Sequence, residues 1–162
     1  DLYGTLTPAP MVNWDHLRRI RDAWSGPLVI KGLLHPDDAR EAVRLGANGL
    51  VVSNHGGRQL DAAPSPLEML PAIRDAVGPE VTIILDSGVR RGSDVVIARC
   101  LGANSIIFGR PTLYGVAVAG QAGAARALQL MRNEIDMVLK QIGCTSFEQL
   151  NASYLWPAPS TT

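Results

Sequence analysis

Short unbroken apolar runs alternate along this chain with longer stretches in which apolar residues recur every three or four positions. PLVIKG, GLVVSNHGG, VTIILDSG and SIIFGR each begin with aliphatic residues and end on glycine or polar ones. Between them, PDDAREAVRLG, PLEMLPAIRDAVG and GSDVVIARCLG carry helical spacing. Short continuous apolar runs separated by helices predict parallel strands covered on both faces. Another helix is predicted from Asn13, a suitable N-cap, through WDHLRRIRDAW to the break at Gly26–Pro27. Pro71 is expected to kink or divide the middle helix, because proline lacks the N–H and crowds the preceding turn. Leu128, Met131, Ile135, Val138 and Ile142 predict a long closing helix with a packing stripe, ended by Gly143. Residues 1–12, with a glycine and two prolines, read as a linker or loop remnant. Residues 13–143 read as the folded unit and 144–162 as a C-terminal tail, its WPAPSTT end loose.

The pattern also repeats. RLGANGLVV begins at Arg44 and CLGANSIIF at Cys100, and the same offset of 100 − 44 = 56 residues brings Gly32 onto Gly88 and Asp38 onto Asp94. A glycine-ended helix before a strand produces "LGA" anywhere, but the upstream matches favour a duplicated pair of βα units stacked about an axis. Four such units suit either a doubly wound sheet or part of a (β/α)8 barrel. A doubly wound sheet gathers functional residues at one switch point, whereas a barrel opens every strand's C-terminal end onto one face. Here all four strands end in chemically capable residues: Lys31, Ser53 with His55, Asp86, and Gly109 with Arg110. The fold class expected is therefore α/β, the C-terminal half (four βα units) of a (β/α)8 TIM barrel, since a whole barrel needs eight strands and about 250 residues. A first residue, Asp1, that is not methionine agrees with the expectation of a fragment or processed piece.

Composition narrows the chemistry. A chain of 162 residues, 46% hydrophobic and 5% aromatic, suits one domain with an aliphatic core. Fifteen basic and fifteen acidic residues leave no overall field toward nucleic acid or anionic lipid, so any electrostatic work is local. No apolar run approaches a membrane span and no secretory signal is visible. Cys100 and Cys144 match no metal or redox spacing and read as buried or free thiols, so no metal is expected and a cytoplasmic location follows.

Two late loops point to an anion. DSGVRRGSD (Asp86 to Asp94) and GRP (Gly109 to Pro111) each combine glycine, a guanidinium and a helix start, the first helix beginning near Ser93. Close backbone N–H groups, the helix dipole and arginine together suit phosphate, which in barrels commonly sits after the seventh and eighth strands. The competing reading is tight turns with solvated arginines. Lys31 reads either as a solvated strand-end lysine or as a fixed cation facing developing negative charge. His55 and Arg58, three residues apart on a glycine loop, form the sharpest pair. An imidazole there can take a proton near neutrality, and a planar guanidinium can grip a carboxylate in two parallel bonds. His16 and His35 read as structural, one on a helix and one before Pro36.

At these residues the sequence resembles a known family. SNHGGRQLD is similar to the signature of the FMN-dependent (S)-2-hydroxy-acid oxidases and dehydrogenases, the group of glycolate oxidase, L-lactate dehydrogenase and mandelate dehydrogenase. IKG, DSGVRRGSD and GRP follow in the family's order, and the resemblance runs from about Trp14 through the final helix. It implies FMN as cofactor and oxidation of a small 2-hydroxy acid (lactate, glycolate or mandelate type) to the 2-oxo acid. Lys31 would lie beside the flavin's N1–C2 carbonyl edge, and Ser53 would contact the ring. His55 would be the catalytic base and Arg58 the substrate-carboxylate ligand. Asp86, Ser87, Gly88, Val89 and Arg90 would form one FMN-binding segment, with Gly109 and Arg110 completing the phosphate site and Arg91 exposed. Ser87 stands where many members have glycine. The resemblance further implies a homotetramer and an N-terminal barrel half as partner. That half would supply the active-site tyrosines, a second arginine and the aspartate that steadies the imidazolium, a role not transferred to Asp61. Peripheral membrane association would depend on an upstream segment. The electron acceptor, and whether His55 takes the hydroxyl or the C2 proton, stay open. Two other readings are another FMN- or phosphate-binding barrel enzyme, against which the His55–Arg58 pair speaks, and a non-catalytic phosphate-binding half-barrel module.

Overall fold

The computed structural model describes residues 12–156. The linker expected over 1–12 and the loose WPAPSTT end therefore lie, Val12 and Trp156 apart, outside the described residues. Helix α1 (Trp14–Ala23) leads into β1 (Val29–Leu33), α2 (Pro36–Arg44), β2 (Gly49–Val52), α3 (Pro66–Val77), β3 (Thr82–Asp86), α4 (Gly92–Cys100), β4 (Ser105–Ile107) and α5 (Arg110–Gln141). His16 and His35 serve as helix-terminal groups. His16 completes a capping box with Asn13 at the start of α1, and His35 caps α2 through Nδ1, which accepts from the Asp37 N–H at 3.2 Å.

The four strands are parallel and lie in sequential order, β1-β2-β3-β4, with no switch point. Alternate strand residues face opposite ways. Leu50, Val52, Ile83 and Leu85 turn toward the helices and are almost wholly buried, sharing one core with Ala39, Ala42, Leu70, Ile73, Val95, Ala98 and Met131. The opposite face carries Val29, Lys31, Ile84, Asp86 and Ile107, all partly or fully exposed, so helices cover one face of this sheet where the apolar runs predicted two. Among the described residues no strand pairs with either edge: Val29 on β1 is 47% exposed and Ile107 on β4 is 43% exposed. A one-way sequential parallel sheet with helices along one side is the arc of a (β/α)8 barrel.

The LGAN repeat has a physical basis in two places at once. Gly46 and Gly102 end α2 and α4 in left-handed conformations, φ 93° and 106°. The following alanines close Schellman motifs, Ala47 N–H to Ala42 O and Ala103 N–H to Ala98 O, each at 3.0 Å. Asn48 and Asn104 then tie the start of the next strand to the strand before it, accepting from Leu28 N–H just ahead of β1 at 2.9 Å and from Ile83 N–H in β3 at 2.8 Å. An arginine from the helix two elements earlier braces each turn. Arg21 donates to Gly46 O at 3.1 Å, and Arg74 to Gly102 O at 2.9 Å, Gly78 O at 2.6 Å and Val81 O at 2.8 Å. Only a guanidinium spans so many carbonyls in one plane. Arg74→Met is therefore expected to destabilise the protein by about 3 kcal/mol, because several backbone acceptors lose a charged donor together. Denaturant unfolding checks this; a loss within about 0.5 kcal/mol, the range of an ordinary surface substitution, would show that water replaces the brace.

Three sequence expectations change. Helix α3 runs undivided through Pro71, its burial of Pro66, Leu70 and Ile73 outweighing the missing bond. Helix α5 is two segments, broken at Ala119 and Gly120, whose backbone leaves the helical region. The segments press together: a Cβ on Gly123 would stand 1.9 Å from Gly115 O. The expected stripe along α5 is covered only in its middle. Met131 is buried and Ile135 and Val138 partly so, but Leu128 remains 51% and Ile142 37% exposed. Gly143 does end the helix, with Cys144 N–H bonding Leu139 O at 2.9 Å. Beyond it, Cys144 and Leu150 pack with Val96 and Cys100 in a second small cluster, and both cysteines are free and buried. Among the described residues no helix is long and apolar enough to cross a membrane.

Candidate active site at the strand tips

The C-terminal ends of all four strands open onto one concavity of about 550 Å³. Lys31 enters it from β1, His55 and Arg58 from the loop after β2, Asp86 to Arg90 from β3, and Gly109 with Arg110 from β4. Every site residue named from the sequence lines it except Ser53, which is 2% exposed and sits behind Lys31 and Asp86. The convergence is close. A Cβ on Gly56 would stand 3.4 Å from Arg110 Nη2, so the last strand's guanidinium lies against the loop that bears His55. Phe108, Pro111 and Tyr114 also line the concavity. Tyr114 was findable in principle: it lies one helical turn after Arg110, on the same face.

A hydrogen-bonded group anchors the centre. Lys31 Nζ donates to Asp86 Oδ2 at 2.7 Å and to Ser53 Oγ at 3.0 Å. Ser53 Oγ in turn donates to Asp86 Oδ2 at 2.5 Å. Burial pushes the Asp86 carboxyl up, but the hydrogen bonds from Lys31 and Ser53 and the ammonium charge outweigh it and hold the carboxyl below its ordinary value. A carboxyl depressed by folding adds stability above its unfolded pKa, about 3.9, and loses it as pH falls through the folded value. Asp86→Asn is therefore expected to lower stability at neutral pH, with the gap to the parent closing on acidification below about pH 4. Urea midpoints across that range check this, and a gap that stays constant would contradict it.

The electrostatics of the rim are one-sided. Lys31, Arg58, Arg90 and Arg110 line the concavity, and Asp86 is its one carboxylate. Asp86 is already paired with Lys31; among the described residues Arg58, Arg90 and Arg110 have no carboxylate partner. Three guanidiniums without carboxylate partners, gathered in a chain of zero net charge, suit anionic groups. Helix α5 begins at the concavity with no side-chain cap, and open space lies where Gly88 and Gly109 would carry a Cβ. A phosphate can approach the backbone there. The other helix start behaves differently from the sequence expectation. Helix α4 begins at Gly92, and carboxylates of Asp94 within it and Glu134 from α5 already occupy its N-terminus. Arg90 and Arg91 N–H groups bond Asp94 Oδ2 at 2.8 and 2.9 Å, and Gly92 N–H bonds Glu134 Oε2 at 2.7 Å. What DSGVRRGSD offers an anion is thus Gly88 and the Arg90 side chain. Arg91 points elsewhere, 75% exposed and 3.7 Å from Glu134.

Backbone strain marks the same place. Among the described residues, the non-glycine residues with positive φ are His55 (57°) and Ser87 (87°), and both line the concavity. Such conformations persist where surrounding structure enforces them, and they gather at functional sites. His55 is exposed, and its imidazole has no carboxylate partner among the described residues. Asp61 approaches Gly57 instead, with Oδ1 3.6 Å from where a Cβ would stand.

Comparison with known proteins agrees with the fold. The model of the family described as FMN-dependent dehydrogenase matches residues 3–157. The chain is 49% identical over 146 residues to an L-lactate dehydrogenase of Chromohalobacter salexigens, covering 90% of this chain and 37% of that protein. It superposes on (S)-mandelate dehydrogenase, described as a monotopic membrane protein, with a TM-score of 0.87 at 45% identity, over 91% of this chain and 39% of that one. A lactate oxidase from Pediococcus acidilactici gives a TM-score of 0.83 at 39% identity, over 89% of this chain and 40% of that one. The chain thus spans about two fifths of the length of these relatives. With a one-way arc of βα units and a family match along nearly its whole length, this chain belongs to the FMN-dependent dehydrogenases, whose cofactor is FMN.

Proposed function

We propose that the chain forms the cofactor- and substrate-binding side of an enzyme that oxidises a small 2-hydroxy acid of the lactate or mandelate type to the 2-oxo acid. The observation that carries this reading is one concavity in which an imidazole, three guanidiniums without carboxylate partners among the described residues and an uncapped helix start meet. In it, Arg90, Gly109, Arg110 and the start of α5 would hold the FMN phosphate and Asp86 to Val89 would line the flavin, with Ser53 backing Lys31 and Asp86 from behind. Arg58 grips the substrate carboxylate, which brings the neighbouring C2 and its hydroxyl under His55. Oxidation removes two electrons and two protons from the substrate. FMN, when bound, would supply the acceptor for the electron pair and one of the protons, and His55 takes the other proton at an imidazole nitrogen. Lys31, held in place by Asp86 and Ser53, presents fixed positive charge to the negative charge that develops on the flavin side.

The arc is completed by a further set of βα units. Parallel strands whose outer edges, on β1 and β4, have no partner among the described residues, and a face bearing Val29, Ile84 and Ile107, call for pairing strands. An N-terminal barrel half would close both edges and provide the carboxylate that His55 lacks here. Anaerobic mixing of the full-length, FMN-loaded protein with (S)-lactate, glycolate and (S)-mandelate tests the reading. Bleaching of the flavin by at least one supports it; an oxidised flavin in the presence of all three refutes it.

A further inference from the structure

We propose that Ser87 is a positioning residue for His55, a latch that ties the tip of β3 to the turn carrying the imidazole. This rests on the 2-hydroxy-acid reading above, which makes His55 the base. His55, Gly56 and Gly57 are three consecutive left-handed residues, with φ of 57°, 68° and 74°. The turn has two backbone bonds, Gly57 N–H to Asn54 O at 3.1 Å and Arg58 N–H to His55 O at 3.4 Å. A left-handed backbone is nonetheless disfavoured at a residue bearing a Cβ, so further contacts to His55 and Gly56 help hold it. Two serine hydroxyls supply them. His55 N–H donates to Ser53 Oγ at 3.0 Å, and Gly56 N–H donates to Ser87 Oγ at 2.9 Å, shared with Asn54 Oδ1 at 3.0 Å.

Both hydroxyls lean on the same atom. Ser53 Oγ donates to Asp86 Oδ2 at 2.5 Å and Ser87 Oγ does so at 3.2 Å. A hydroxyl that gives its proton to a carboxylate turns its lone pairs outward, toward the waiting N–H. Ionised Asp86 therefore orients both acceptors. Ser53 belongs to the same loop as His55 and cannot fix that loop against its neighbour. Ser87 comes from the next strand, and its bond sets the His55 turn relative to the segment from Asp86 to Arg90. The side chain stays there at a backbone φ of 87°, where glycine would sit without strain.

Ser87→Gly and Ser87→Ala, made in the full-length, FMN-loaded protein, separate the latch from mere turn geometry. Both delete the hydroxyl, and only glycine relieves the strain. The latch predicts that both variants lose about tenfold in kcat with KM nearly unchanged, and that the Gly56 amide exchanges hydrogen about tenfold faster. It also predicts a higher Tm for Ser87→Gly than for Ser87→Ala. A Ser87→Gly variant with parental kcat and parental Gly56 exchange overturns it, even if Ser87→Ala does not fold. Gly56 exchange is read without substrate. A parent that oxidises no 2-hydroxy acid defeats the functional reading, while unchanged exchange in Ser87→Gly defeats the latch independently.

Discussion

Replacing His55 by alanine in the full-length, FMN-loaded protein is expected to slow flavin reduction by 2-hydroxy acids about a thousandfold, in line with removal of a positioned general base. FMN binding should survive, because the phosphate-side groups, Arg90, Gly109 and Arg110, reach the concavity from other strands. Substrate binding should survive as well, since the carboxylate is assigned to Arg58. The expected signature is therefore a fall in kcat with little change in KM. Alanine also suits the left-handed position no better than histidine does, so Tm should move little. Single-turnover stopped-flow following flavin absorbance, with Tm measured on the same samples, reads all three quantities. Parental reduction rates in His55→Ala would remove His55 from the chemistry and leave a non-catalytic phosphate-binding module as the better description.

Arg58 carries the second large effect, with a different kinetic shape. Its guanidinium lines the concavity without a carboxylate partner among the described residues. Arg58→Lys keeps the charge and loses the planar fork, and Arg58→Met loses both. A bidentate charge-assisted pair contributes about 3 kcal/mol, so Arg58→Met should cost about 10²-fold in kcat/KM. Arg58→Lys should fall between Arg58→Met and the parent. The distinguishing test is an uncharged substrate, such as the amide of the same 2-hydroxy acid. The parent should discriminate strongly against the amide, and Arg58→Met should discriminate far less. Equal discrimination in both would place the carboxylate on some other group.

Much of this arrangement was legible in the sequence, for identifiable reasons. Strands buried along their helix-facing side must be apolar, so VVSN and IILD announced themselves, and the glycine that each Schellman motif demands made LGAN visible twice. Residues that end such strands are placed by the fold at one face, which is why Lys31, His55, Asp86 and Arg110 could be grouped before their geometry was known. What stayed hidden depends on distant parts of the chain. Nothing near Gly92 shows that Glu134, forty-two positions later, fills the start of α4. Propensity alone speaks against Pro71 in a helix, and only the burial of Leu70 and Ile73 around it overrides that preference. The break in α5 had a faint local signal in AGQAGAARA, where small residues permit the contact between Gly115 and Gly123. Ser87 looked like a minor departure from glycine. Its left-handed backbone and its bond to Gly56 become visible only when two loops are seen side by side.

One flavin, held from four strand tips, is the claim on which the rest depends. A crystal structure of the full-length protein with FMN and a 2-oxo acid product tests it most directly. The account predicts the phosphate within hydrogen-bonding distance of Arg90 and Arg110, and the product carboxylate on the Arg58 fork beside His55. A phosphate bound elsewhere, with Arg90 and Arg110 facing only water, would contradict it.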